Sequence, residues 1–247
     1  NSMLASSTDD PKGASRMQRT KLVLDRVIDK LREDKIGLIV FAGNAYTQMP
    51  ITTDGVSAKM FLNEISTNMV PSQGTAIGSA IKLAMNSFTK NEKTQKAIII
   101  ITDGENHEDD AVAMAKEAKE KGIQVNVVGM GTVRGSQIPL ENGQLMKDND
   151  GNVVTTRLNE TMAKDIAIAG GGLYVSGNST DAVKILDEQL QKLAKTELET
   201  TVYSAHNEQF PVFAWLALIF VIIYLFVGDS KNSWLRKYNF FSKDNKK

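Results

Sequence analysis

Three side chains on separate loops have the right types to hold a hard metal ion. Asp103 ends the run Ile98-Ile99-Ile100-Ile101-Thr102 and is followed by Gly104. Such a β-branched run predicts a buried parallel strand. In open α/β sheets, ligands bind beyond the carboxyl ends of the strands. Thr75, in Gly74-Thr75-Ala76, precedes a helical pattern, and Ser2 lies at the start of the chain. One carboxylate and two hydroxyls form an oxygen set suited to Mg²⁺, with Mn²⁺ or Ca²⁺ as substitutes.

The elements that must position these residues follow from periodicity. Met17, Leu24, Val27, Ile28 and Leu31 recur at helical spacing after Ser15, a suitable N-cap. Residues 35–42 form an apolar strand, and 45–49 a short edge strand. Asp54 caps a helix that runs to about Ser66, with Val56, Met60, Phe61 and Ile65 facing inward. A helix from Thr75 turns Ile77, Ile81, Ala84 and Phe88 inward. The strand 97–102, a helix over 109–121 ending at Gly122, and a strand over 123–128 come next. Helix 159–169 stops at Gly170-Gly171-Gly172 before the strand 173–175, and Asp181 opens a helix to about Lys195. Alternating strands and helices predict a doubly wound, mostly parallel α/β sheet. Residues 132–157 break the rhythm and read as a β-hairpin insertion with a tight turn at Asp150-Gly151.

Composition narrows the function. Lys plus Arg and Asp plus Glu each number 29, so the net charge is zero, and no excess of base points to nucleic acid. Without cysteine there are no disulfides and no thiolate metal sites. Phe210 to Val227 is an uncharged stretch of eighteen residues, roughly 27 Å as a helix, which predicts a transmembrane span. Residues 228–247 carry six basic and two acidic residues, which places the C-terminus in the cytoplasm and the preceding domain outside it. The expected organisation is a domain over 1–200, a linker over 201–209, a membrane helix over 210–227 and a basic tail over 228–247.

Other clusters take plainer readings. Glu108-Asp109-Asp110 suits the positive end of the next helix. Asp148-Asn149-Asp150-Gly151-Asn152 lacks the Gly and Glu spacing of a calcium loop. The Gly129 to Gly135 stretch is one residue off a dinucleotide motif and leads into no helix. His107 and His206 lie near no nucleophile motif. Asp54 could border the site through its loop.

Ser2, Thr75 and Asp103, in this order, resemble the metal-ion-dependent adhesion site of von Willebrand factor A (vWA) domains. In that pattern D-x-S-x-S is followed by a distant Thr and a distant Asp. Ser2 matches the last Ser; the Asp and first Ser would precede Asn1, so the sequence reads as N-terminally truncated, with its metal site incomplete and its first strand missing. Strands 35–42 and 97–102 should then flank a gap. Ser15-Arg16, the insertion ending before Leu158-Asn159-Glu160, the Ala169 to Val175 approach and the apolar helix resemble the Bat (Bacteroides aerotolerance) type. The resemblance implies a non-enzymatic interaction module in the inner (plasma) membrane, its vWA domain extracytoplasmic (periplasmic). Its implied partners are a protein supplying an Asp or Glu to the ion, other membrane proteins of the same type, and the lipid bilayer. A metal-independent membrane scaffold is the alternative; a metal-assisted hydrolase has no motif to support it.

Overall fold

The computed structural model describes residues 2–70, 74–89, 94–105, 109–140, 144–148, 150–205 and 210–227. It divides into two units, residues 1–197 and 198–247. The basic tail, His107, Glu108, Asn149 and His206 lie outside the described residues.

The first unit begins with a 3₁₀ turn, Ser2–Leu4, and helix α1 (Arg16–Lys30). Ser15 caps α1 in a reciprocal box: its hydroxyl accepts from Gln18 N, and the Gln18 side chain accepts from Ser15 N. Strands β1 (Ile36–Phe41) and β2 (Ala45–Thr52) form an antiparallel ribbon. Helices α2 (Gly55–Glu64) and α3 (Ile77–Ser87) follow. Then come β3 (Lys96–Thr102), α4 (Ala111–Glu120) and β4 (Ile123–Gly129). The hairpin strands β5 (Ser136–Gln137) and β6 (Thr155–Thr156), helix α5 (Glu160–Ala169), β7 (Gly171–Ser176) and α6 (Ala182–Ala205) complete the order. Helix α6 runs ten residues past its expected end at Lys195.

β3, β4 and β7 make a parallel sheet in that order. The sheet is divided at the place where strands 35–42 and 97–102 were expected to flank a gap: among the described residues β1 pairs with β2 alone, β3 pairs with β4 alone, and no strand lies between β1 and β3 to carry the ladder across. A groove of about 390 Å³ separates them, lined by both strands and by α1 and α3 residues such as Leu24, Val27, Ile81 and Ala84.

One core cluster joins the β3–β4 face to α3, α4 and α5 through Ile77, Ile81, Ile100, Val125, Val127 and Ile166. The opposite face packs Val128 and Met130 on Val23 and Val27 of α1 and Leu186 of α6. The third cluster holds β1 and β2 to α1 and α2 through Leu38, Met49, Ile28, Ala58 and Leu62. The inner face of α2 matches expectation in part: Phe61 and Ile65 pack against this cluster, but Val56 is 82% and Met60 57% exposed, and Ala58 and Leu62 are buried instead. A small residue, Ala58, marks that face because it permits close approach to α1; larger apolar residues had masked it in the pattern.

The Gly170–Gly172 run does more than end α5. A Cβ on Gly172 would stand 2.1 Å from the Val125 carbonyl oxygen. The β4–β7 register shifts at that point, and the buried Asn126 side chain accepts from Leu173 N to fill the break.

The second unit is described through α7 (Phe210–Val227). Among the described residues no helix is long and apolar enough to cross a membrane. The full sequence of α7 is nonetheless eighteen residues without charge, and Phe213, Trp215, Ile219 and Tyr224 are exposed.

Candidate functional site

The carboxyl ends of β1 and β3 arrive together at the start of α3. Ala76 N donates to Ala42 O, just beyond β1, at 2.7 Å. From the loop after β3, the Asp109 carboxylate accepts from Gly78 N at 2.8 Å and Ser79 N at 2.7 Å. Those amides are otherwise unsatisfied in the first turn, and the helix dipole favours a carboxylate there. Asp109 thus caps α3 from a distance, while Asp110 caps α4 by accepting from Ala113 N. The residue before α3, Ala76, has no side-chain cap, so Thr75 is not the N-cap of this helix.

Ser2, Thr75 and Asp103 all line the groove between β1 and β3. Asp54 does not; it caps α2 through Val56 N and Ser57 N, and the Ser57 hydroxyl holds its carboxyl below the usual range. Asp148 organises the insertion's turn by accepting from Asp150 N and Asn152 N.

Asp103 has a partner that sequence reasoning missed. Its Oδ2 receives Nη1 of Arg16 at 2.8 Å, and the two side chains are 3% and 0% exposed. Nη1 also donates to Thr156 Oγ1 at 2.9 Å, and Nη2 to the Thr156 carbonyl at 3.0 Å. The Thr156 hydroxyl donates to Glu105 Oε1 at 3.1 Å. Burial pulls the Arg16 pKa down, and the negative charges of Asp103 and Glu105 push it back up. Gly131, at φ +115°, closes over this guanidinium; a Cβ there would lie 2.6 Å from Nε. One signal was available: Arg16 is the first residue of α1 and stands at the positive end of the dipole, where a cation is disfavoured without an anionic partner.

The donor set has the right chemistry for a hard cation. Among the described residues Asp103 Oδ1 accepts a single bond, from Glu105 N at 3.3 Å, and an oxygen of a carboxylate can accept more. Among the described residues no group of three or more His, Cys, Asp or Glu converges. A cation here would depend on hydroxyls with one carboxylate.

The fold belongs to one family. Residues 6–211 match the von Willebrand factor type A domain, and the chain belongs to that family. It is similar to the crystal structure of an aerotolerance-related membrane protein from Bacteroides fragilis, at 48% identity over 78% of this chain and 94% of the other, with a TM-score of 0.73. It is equally similar to BatB from Bacteroides thetaiotaomicron, at 50% identity over the same shares, with a TM-score of 0.74. A mussel byssus thread matrix protein whose adhesion motif holds zinc is 16% identical over 78% of this chain and 43% of its own, with a TM-score of 0.51, and shares the fold alone. An uncharacterised protein of Borreliella burgdorferi is 23% identical over 85% of this chain, which spans 61% of that relative's length.

Proposed function

We propose that this protein is a membrane-tethered vWA interaction module whose groove end, at Ser2, Thr75 and Asp103, takes a divalent cation and through it a partner's Asp or Glu. The observation that carries this reading is the delivery of Asp103 by β3 to the groove that Thr75 and Ser2 also line. Hydroxyl ligands leave most of the ion's charge unquenched, so a carboxylate entering an open position gains a strong electrostatic contact. Such a module acts by adhesion; Mg²⁺ is the natural ion for hydroxyl and carboxylate oxygens. Tethering rests on α7, whose apolar side chains are exposed, and on the similarity to Bacteroides membrane proteins. With the basic tail on the cytoplasmic side, the vWA unit faces outward, and the partners are proteins at or in the same membrane. A stress-related role follows that similarity.

The Arg16–Asp103 pair favours a second reading, a scaffold that needs no metal, because Asp103 already has a cationic partner. Removing Asp103 would strand a buried guanidinium, so Asp103→Ala should damage the fold as well as the ion site. Thr75→Ala is the cleaner variant. In Mn²⁺ titration calorimetry it should weaken binding at least about tenfold, roughly 1.4 kcal/mol, with an unchanged thermal transition. Unchanged Mn²⁺ affinity would favour the scaffold.

A further inference from the structure

The return limb of the insertion, residues 156–159, is fastened to the loop after β3 at three of its residues, while Leu158 N donates to the Thr132 carbonyl. Thr156 receives both terminal guanidinium nitrogens of Arg16, and its hydroxyl donates to Glu105 Oε1. Arg157 N donates to the same Glu105 oxygen at 3.1 Å. Asn159 N donates to the Asp103 carbonyl at 2.8 Å. Gly104, at φ +74°, allows this closeness: a Cβ there would lie 2.3 Å from the Asn159 carbonyl oxygen.

A single nitrogen sits at the centre of this arrangement. Nη1 of Arg16 has two hydrogens, one directed to Asp103 Oδ2 and one to Thr156 Oγ1. The Thr156 hydroxyl accepts from Arg16 and donates onward to Glu105. The guanidinium keeps its charge, so it is balanced by Asp103 directly and by Glu105 through one hydroxyl. Gly131 packs against it and it is fully buried, so it cannot swing out to water.

We infer that Arg16 makes the hairpin insertion a sensor of the charge on Asp103, with Thr156 as the relay. When Asn replaces Asp103, Glu105 is the anion that remains in the network among the described residues. A direct Arg16–Glu105 pair displaces the Thr156 hydroxyl and draws Oε1 away from Arg157 N. The return limb then loosens. A divalent cation on Asp103 would have the same effect, since two cations on one carboxylate repel each other; this arm rests on the proposed cation site. Arg16 is a positioning residue here, and the insertion is the element through which a protein partner would read the occupied site.

Amide hydrogen exchange on the full chain tests this, with residues 152–160 as the reporter and β4 as the reference. Asp103→Asn should speed exchange at Arg157 about tenfold while β4 keeps its protection. Thr156→Val should do the same. In the double variant no further acceleration should appear, because both changes act through Arg16. Multiplied effects, or an unchanged reporter in Asp103→Asn with β4 protected, would overturn the inference. If Asp103→Asn loses β4 protection, Thr156→Ser stands beside Thr156→Val: native exchange at Arg157 with the hydroxyl kept supports the relay, and equal acceleration in both refutes it. Mn²⁺ gives the cation arm. Binding that speeds the reporter in the native chain but not in Thr156→Val supports the coupling, and binding with a silent reporter overturns it. Absence of Mn²⁺ binding overturns the cation-site reading instead, and the substitutions alone then decide the coupling.

Discussion

Strands β1 and β4 have similar apolar sequences and opposite surroundings. β4 is hydrogen-bonded to β3 on one edge and to β7 on the other, and Val125 and Val127 are fully buried between helices. β1 has one paired edge, and within it only Leu38 is buried. An apolar run states that a strand suits covered faces; its neighbours decide whether those faces and edges are covered. The β3–β4–β7 sheet is covered by helices on both faces, whereas the β1–β2 ribbon is held by α1 and α2 through the third cluster, by its contacts with α3 and by the Ala42–Ala76 bond.

The largest expected effect would break this comparison outright. Val127→Asp places an unpaired charge in the main core and should cost more than about 4 kcal/mol, enough to remove the cooperative urea transition. Ile39→Asp, beside the groove, should cost about 1–2 kcal/mol. Equal losses in urea unfolding would show that the two halves are equally consolidated.

A smaller contrast concerns two glycines with positive φ. Gly131→Ala forces a Cβ against the Arg16 guanidinium and should cost about 3 kcal/mol. Gly122→Ala, at φ +74° with nothing within 4 Å, should cost only about 1 kcal/mol. Thermal melts of both variants measure the difference, and near-equal shifts would remove Gly131 from the support of the site.

These expectations show which features the sequence made legible. The Ile98–Thr102 run, the Ser15 cap, the C-terminal Gly122 and the hairpin around Asp150-Gly151 are local, and each was readable from residue types and spacing. The parallel sheet and its family followed from their order. The partners of Arg16 were not readable, because they are 87 and 140 positions away and polar pairing over that range leaves no periodic trace; its place at the positive end of α1 signalled only that it needs an anion. Half of the α2 face was misread: Phe61 and Ile65 pack inward, whereas Val56 and Met60 are exposed. The role of Asp109 was half visible: its neighbour Asp110 caps the next helix as expected, while Asp109 itself reaches back to α3.

That reach has a consequence for the order of folding. Helix α3 receives its capping carboxylate from a residue about thirty positions later in the chain. An isolated helix of eleven residues is marginal in water. As the chain emerges from the ribosome, α3 has no cap until β3 and its following loop have been made. Closure of that long loop precedes the gain, which is the kind of non-local step that slows folding. Helix α3 and strand β3 should consolidate together, and the floor of the candidate site is built in that same late event.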